Sequence, residues 1–229
     1  MKGMTYIKQI KDFQQVQVEK DNKDNKDKMN SRIINYETYI SYSEGLSPRK
    51  IRHNKLGWSY HKIVANMLSE IEFGNVLELG TNKVKVVHDS DCMNLIDSFP
   101  LKGTGKNIIY DITQTPCPIK DKQYDMFIAL QVWEHLGERY SGVHQKAFKE
   151  VMRISNRAII SFPYKWNMNK YKIKVENGIE KKVYSSHGGI TDEIISEWTC
   201  GVKPVKTAVT MGHGRNRTHR KKIYFFDFR

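Results

Sequence analysis

Val76-Leu-Glu-Leu-Gly80 and the later stretch Tyr124-Asp-Met-Phe-Ile-Ala-Leu-Gln-Val-Trp-Glu-His-Leu136 decide the fold of this chain. Each stretch begins as a short apolar strand and ends in small or acidic residues. Open sheets of alternating strands and helices bind nucleotide-like ligands at the edge that such strand ends form. The two stretches therefore predict an α/β protein with a ligand site at the carboxyl edge of its sheet.

The composition fits one large α/β domain, or one domain with a small appendage. The chain has 229 residues, of which 39% are hydrophobic, and this length suffices for a full core. No apolar run approaches the roughly 18 residues that a membrane-spanning helix needs. The first residues lack a secretory signal, and three widely spaced cysteines fit reduced thiols. We therefore expect a cytoplasmic protein without a membrane partner.

Positive charge is concentrated in the last third of the chain. The net charge is +13, and residues 151–229 carry 16 Lys and Arg against 6 Asp and Glu. Such an excess favours an anionic partner, for example a phosphorylated small molecule, a nucleotide sugar or nucleic acid. A solubilising surface is the alternative explanation of the same charge.

The pattern along the chain predicts an arm followed by a larger domain. Residues 1–57 are expected to form an N-terminal arm or lid, with a mobile charged segment at 19–30. Residues 58–229 form the main domain, with a hairpin insertion on the substrate side at about 164–190. Helices are predicted at 58–72 and 143–154, and strands at 76–79, 92–96, 107–111, 125–131 and 157–162.

Antiparallel structure is expected after Pro163. Tyr171–Val175 and Ile179–Tyr184 flank Asn177-Gly178, which is a strong hairpin signal. A helix is predicted at 191–198 with Thr191 as its N-cap. Two final apolar stretches, 204–211 and 222–228, predict a closing antiparallel pair of strands.

Acidic residues near successive strand ends suggest how a nucleotide-like ligand would be held. Gly80 has no side chain, so backbone amides can approach a ligand closely there. Asp97 follows the second strand, about twenty residues after Glu78, and a carboxylate at this spacing can accept hydrogen bonds from ribose hydroxyls. Asp89 and Asp91 are alternatives to it. Asp111 follows the third strand, where an acid can accept from the exocyclic amine of a base.

Taken together, six blocks resemble the class I S-adenosylmethionine-dependent methyltransferases, in particular the bacterial small-molecule type. The blocks are Leu77–Gly80, Asp111–Thr113, Pro116–Pro118, Tyr124–Leu136, Lys149–Arg153 and Ile160–Pro163. The resemblance covers residues 58–164. It implies a Rossmann-like, seven-stranded, mostly parallel sheet with helices on both faces and a terminal antiparallel strand, and S-adenosyl-L-methionine as cofactor.

The same resemblance assigns the cofactor contacts. Glu78 and Gly80 would line the methionine end of the cofactor with Thr81 beside them, and Asp97 would bind the ribose. Asp111 and Ile112 would contact the adenine, and Gln131 would lie near the methyl-bearing sulfur. The chain departs from the family at residues 81–91, which lack the glycine-rich loop and are too few to include a full helix.

Three histidines are candidates for catalysis, because an oxygen acceptor usually needs a base. They are His187, His135 and His213, with Glu134 in support, and we expect no metal ligands. Three further residues would contact the substrate, namely Tyr164 and, in a loop that follows the strand predicted at 204–211, Arg215 and Arg217.

The expected reaction is methyl transfer to a small-molecule acceptor that is anionic or sugar-like, as in polysaccharide biosynthesis. The alternatives are an RNA methyltransferase and a Rossmann-like binding protein without catalysis. The chain is unlike the enzymes that methylate amines of DNA bases, because Leu130-Gln-Val-Trp133 replaces the Pro-Pro-aromatic motif of those enzymes. The oligomeric state, monomer or dimer, is left open.

Overall fold

A seven-stranded sheet forms the centre of the protein in a computed structural model that describes residues 26–42, 44–81, 84–95, 103–176, 179–210 and 220–229. Its strands are β1 (Val76–Leu79), β2 (Asp91–Asn94), β3 (Asn107–Ile109), β4 (Met126–Leu130), β5 (Arg157–Tyr164), β8 (Lys206–Val209) and β9 (Arg220–Asp227). Their order is β3-β2-β1-β4-β5-β9-β8. A separate hairpin consists of β6 (Tyr171–Glu176) and β7 (Ile179–Tyr184).

The first five strands are parallel, and β9 runs antiparallel to both of its neighbours. Because of this reversal, β9 begins at the edge where the parallel strands end. Lys221 pairs with Pro163, and Arg220 pairs with Tyr164 at the end of β5. This topology confirms the predicted sheet with its terminal antiparallel strand.

Helices cover both faces of the sheet, as predicted. They are α1 (residues 26–32), α2 (Tyr36–Ser41), α3 (Pro48–Ser69), α4 (Val143–Ile154) and α5 (Asp192–Trp198), together with a short 3₁₀ helix at Trp133–His135. Met29, Val64 and Leu68 of α1 and α3 pack on one face. Phe148 and Ile195 of α4 and α5 pack on the other face. No helix in the described ranges is long and apolar enough to cross a membrane.

Two segments near the N-terminus differ from the sequence-based prediction. Helix α3 begins at Pro48 rather than at residue 58, because Ser47 and Pro48 provide an N-cap position and a favourable first helical residue. The predicted boundary between arm and domain therefore falls inside a helix. Residues 26–30, which we expected to be mobile, belong to α1, where Met29 is buried. Residues 19–25 lie outside the described residues.

The connection from β1 to β2 is short, and its described residues 84–90 contain no helix. Parallel strands usually need a crossover of a dozen or more residues, most often a helix. Here the buried carboxylate of Glu78, rather than a helix, holds the connection in place. It accepts hydrogen bonds from the backbone N–H groups of Val86 and Val87, at 2.8–3.0 Å, and from the Ser90 hydroxyl at 2.8 Å.

The N-terminal segment completes this connection from outside. Ile33 forms an antiparallel bridge with Val87, and the Ile34 N–H donates to the Val86 carbonyl at 2.9 Å. Arg32 forms an ion pair with Asp89 at 3.0 Å. Residues 32–34 therefore cover part of the face that a crossover helix would otherwise occupy.

Burial of Glu78 makes the stability of the fold depend on pH. Burial raises the pKa of this carboxyl to about 7, although its hydrogen bonds and nearby Lys85 act in the opposite direction. A raised pKa in the folded state contributes stability that is complete below about pH 4.5 and is lost as the pH rises through about 7. The free energy of unfolding of the unsubstituted protein, measured in urea, should therefore fall by roughly 1–3 kcal/mol more across this pH window than that of Glu78→Gln. Equal pH slopes in the two proteins would contradict this account.

Candidate functional site

The carboxyl ends of β1 and β4 meet closely at Gly80. This residue follows β1 with a φ of +66°, and a Cβ atom added to it would lie 2.5 Å from Val132 Cγ2. Its N–H donates to the Met93 carbonyl at 2.9 Å. Only glycine fits this conformation and this space without strain. The ends of β1 and β4 are therefore packed closely together at Gly80, and a contact of Gly80 with a ligand stays a prediction.

Two predicted cofactor residues at this edge carry buried polar atoms. Gln131 Nε2 lacks a hydrogen-bond partner among the described residues, and the Thr81 hydroxyl has only the Cys92 thiol, a weak partner, next to it. Gln131 has a φ of +62°, and its N–H donates to the Ser161 hydroxyl at 3.0 Å. Buried polar groups usually have partners, so the unpartnered amide of Gln131 indicates the position of a polar ligand. A cofactor with polar groups at the ends of β1 and β4 fits this position.

Glu78 is placed differently from the expectation. Its side chain is directed into the β1–β2 connection, and both carboxylate oxygens accept hydrogen bonds there. A direct contact between Glu78 and a cofactor stays a prediction. The observed role of Glu78 is to hold the loop that follows Gly80.

The predicted adenine-side residues lie after β3. Asp111 Oδ1 accepts hydrogen bonds from the Thr113 N–H at 2.9 Å and the Thr113 hydroxyl at 2.7 Å, which fixes the turn. Ile112 is buried and belongs to the same apolar cluster as Leu79. Asp111 is only half-buried, so it remains accessible to a ligand.

The predicted ribose ligand, Asp97, lies outside the described residues. The structure does describe its two alternatives. Asp91 is the first residue of β2 and Asp89 lies just before it, so both are at the amino end of the strand. Asp89 is paired with Arg32, and Asp91 accepts hydrogen bonds from the Tyr124 hydroxyl and the Lys106 N–H. Both are therefore far along the strand from the edge that carries Gly80.

Three of the predicted catalytic residues come together beyond the end of β4, and the fourth, His213, lies outside the described residues. One donor atom from each of Glu134, His135 and His187 lies within 4.8 Å of the other two. His187 Nε2 is 3.6 Å from Glu134 Oε1, and the imidazole rings of His135 and His187 meet edge to face with centroids 4.7 Å apart. These three residues, the Glu-His-His group, also form a potential metal-binding set that the sequence analysis did not recognise.

Two residues outside the group hold the His187 loop in place. Arg139 donates hydrogen bonds to the carbonyl oxygens of Gly188 and Gly189, directly after His187. The Trp166 ring stacks on the His187 imidazole with centroids 5.5 Å apart, and the Trp166 carbonyl accepts from the Gly189 N–H. His187 therefore reaches the site on a loop that is fixed on both sides.

Glu134 is fully buried beside two basic side chains. His187 Nε2 lies 3.6 Å from its Oε1, the charge of Lys221 acts on its carboxyl, and no described side chain donates a hydrogen bond to either oxygen. Burial raises its pKa to about 7. Burial likewise lowers the pKa of Lys221 to about 7, while the charge of Glu134 acts to raise it. The Lys221 ammonium lies over the Tyr60 ring, 3.5 Å from its centroid.

Sequence reasoning missed Lys221, Tyr60 and Arg139. A signal for Lys221 was present, because it alternates with the inward-facing Ile223 and Phe225 in β9. A lysine at such a position is a candidate for a buried functional group.

One of the three predicted substrate residues, Tyr164, belongs to the described part of the chain. The Tyr164 hydroxyl donates to Asp192 at 3.0 Å, and Asp192 also accepts from Tyr224 and Lys222. Arg215 and Arg217 lie outside the described residues. Substrate contacts by these three residues therefore stay predictions.

Comparisons with known proteins agree with this geometry at the level of the fold. No protein-family model and no curated protein sequence matches this chain. The N-methyltransferase NodS from Bradyrhizobium japonicum, in complex with S-adenosyl-L-homocysteine, is similar with a TM-score of 0.54 and 11% identity, over 84% of this chain and 97% of that chain. The PH0226 protein from Pyrococcus horikoshii has a TM-score of 0.51 and 12% identity, over 84% and 97%.

A third similar structure is a SAM-dependent methyltransferase from Methanosarcina mazei, with a TM-score of 0.51 and 10% identity over 71% of this chain and 95% of that chain. Identities this low establish the fold alone. The fold is that of the class I S-adenosylmethionine-dependent methyltransferases, as the six sequence blocks predicted.

The close approach at Gly80 can be tested by substitution. Gly80→Ala should lower the free energy of unfolding by about 2–4 kcal/mol, because it adds a clash with Val132 to the cost of a positive φ. Gly142→Ala is the matched control, since Gly142 has a φ of +77° with nothing within 4 Å. It should cost only about 1 kcal/mol in urea denaturation. Equal losses for the two variants would contradict the close packing of β1 and β4.

Proposed function

We propose that this protein transfers a methyl group from S-adenosylmethionine to a small acceptor that is anionic or sugar-like. The observation that carries the proposal is the polar carboxyl edge of β1 and β4. There Gly80 follows β1 in a left-handed conformation, the Thr81 hydroxyl is buried, and Gln131 Nε2 is buried without a partner among the described residues. This edge is where folds of this kind bind nucleotide-like ligands.

The cofactor would be held by residues from three strand ends. Gly80, Thr81 and Gln131 would contact its methionine end, Asp97 its ribose, and Asp111 with Ile112 its adenine. Glu78 would act indirectly, through the loop that it holds. When bound, S-adenosylmethionine supplies an electrophilic methyl group on a sulfonium, so the protein mainly has to position the two reactants.

The Glu-His-His group would act on the acceptor. Glu134 and His135 follow Gln131 closely along the chain, just beyond the end of β4, and His187 joins them from the loop after β7. A hydroxyl acceptor can be activated in two ways here, by a histidine that accepts the proton or by a cation that the group binds. The basic charge of residues 151–229 supports an anionic acceptor.

The hairpin of β6 and β7 supports RNA as a second candidate substrate. Lys172, Lys174 and Lys182 are exposed on it, and the Lys182 ammonium lies over the Tyr171 ring at 4.6 Å from its centroid. Lysines combined with an exposed aromatic ring are typical of surfaces that bind single strands.

Cofactor binding is tested most simply by calorimetric titration with S-adenosylhomocysteine. Asp111→Asn should weaken binding about tenfold, because the amide keeps one oxygen for Thr113 but replaces the second with a donor that cannot accept from the adenine amine. Asp121→Asn is the matched control, since it makes the same charge change at a side chain that is 78% exposed. No binding at millimolar cofactor would contradict the proposal and favour the non-catalytic alternative.

Gel shifts with mixed RNA separate the two acceptor classes. A small acceptor predicts no complex at physiological salt, and substitution of Lys172 and Lys174 by alanine should then change nothing. A complex that weakens steeply with salt, and further on this double substitution, would favour RNA because it reports neutralised phosphates.

A further inference from the structure

We propose that Glu134, His135 and His187 bind a divalent transition-metal cation, and that the open coordination positions of this cation bind a hydroxyl oxygen of the acceptor. Cation binding depends on the three side chains alone. Its role in methyl transfer rests on the function proposed above.

The donor atoms already approach the spacing of metal ligands. Ligands about 2.1 Å from zinc at tetrahedral angles are about 3.4 Å apart from one another. His187 Nε2 and Glu134 Oε1 are 3.6 Å apart, and all three donor atoms lie within 4.8 Å of one another. Small rotations of His135 and His187 would therefore complete the set.

The state of Glu134 provides an independent reason for a cation. A buried carboxylate is costly unless it is paired or coordinates a metal. Both oxygens of Glu134 are buried, and no described side chain donates a hydrogen bond to either of them. Lys221 acts on the carboxyl through its charge without donating a hydrogen bond, and its ammonium lies over the Tyr60 ring. A cation between Glu134 and the histidines would satisfy the carboxylate.

The chemistry of the donors selects the type of metal. Two imidazole nitrogens and one carboxylate oxygen suit zinc, manganese, cobalt or ferrous iron, whereas magnesium and calcium prefer oxygen donors only. Three protein ligands leave at least one open position, which is typical of catalytic rather than structural sites.

The three side chains differ in burial, so the open coordination position of the cation would face the exposed side of the group. Glu134 is fully buried, while the His187 side chain is 36% exposed and His135 is exposed. The cation would therefore be closed by protein on the Glu134 side and accessible on the histidine side. The fixed His187 loop, with Arg139 and Trp166 behind it, is the kind of outer support that orients metal-binding histidines.

A bound cation would activate a hydroxyl without a protein base. It lowers the pKa of a coordinated hydroxyl, and the proton leaves to solvent water. The ionised oxygen then forms a bond to the methyl carbon while the carbon–sulfur bond breaks, and the electron pair of that bond stays on sulfur as a neutral thioether. The acceptor is therefore expected to be methylated on oxygen.

The test is a titration of the full chain, first treated with a chelator, with cobalt(II) as a spectroscopic probe. One equivalent should produce the visible absorption of a site with nitrogen ligands, and zinc should displace the cobalt. His187→Ala should weaken cobalt binding about 10- to 100-fold, and Glu134→Gln should do the same. His88→Ala and Glu138→Gln are matched controls at exposed positions and should leave binding unchanged.

Two outcomes would overturn the cation site. One is the absence of cobalt binding to the unsubstituted chain, and the other is binding that His187→Ala leaves intact. His187→Ala keeps the test decisive if Glu134→Gln fails to fold, because His187 is partly exposed on a loop. Titration of the same sample with S-adenosylhomocysteine distinguishes the two proposals. Cofactor binding without cobalt binding overturns the cation site alone, and cobalt binding without cofactor binding overturns the methyltransferase function alone.

Discussion

The buried Glu78 carboxyl group holds the connection between β1 and β2 by accepting hydrogen bonds from the Val86 and Val87 N–H groups and the Ser90 hydroxyl. The chain must return from the end of β1 to the start of β2 within residues 80–90, and the described part of that segment has no helix. A buried acid that accepts several hydrogen bonds fixes the conformation of this loop, as the regular backbone hydrogen bonds would in a crossover helix.

Two consequences follow for the shape of the ligand edge. The loop exposes backbone at Val86 and Val87, with which residues 33 and 34 pair, so the N-terminal segment becomes part of the domain. At its other end the loop departs from Gly80, which packs against Val132 and brings β1 and β4 together at the ligand edge. The same adaptation therefore supports the core and defines the proposed cofactor site.

Much of the fold could be predicted because it depends on local patterns. The apolar spacing in α4 and the alternating stretches predicted on either side of Asn177-Gly178 gave the correct bounds of α4, β6 and β7 within a residue. The contacts of the site depend on long-range packing and could not be predicted in the same way. His187 reaches Glu134 only through the hairpin and the loop fixed by Arg139, and nothing local to the Leu-Glu-Leu-Gly motif indicates that Glu78 turns towards Val87.

Diffraction from crystals grown with S-adenosylhomocysteine would show whether the carboxyl edge of β1 and β4 binds the cofactor. Density for the ligand is expected between Gly80 and Gln131, with its adenine next to Ile112 and Asp111. Ligand density at the opposite edge of the sheet, for example in the cleft beside Arg32 and Arg157, would contradict this expectation.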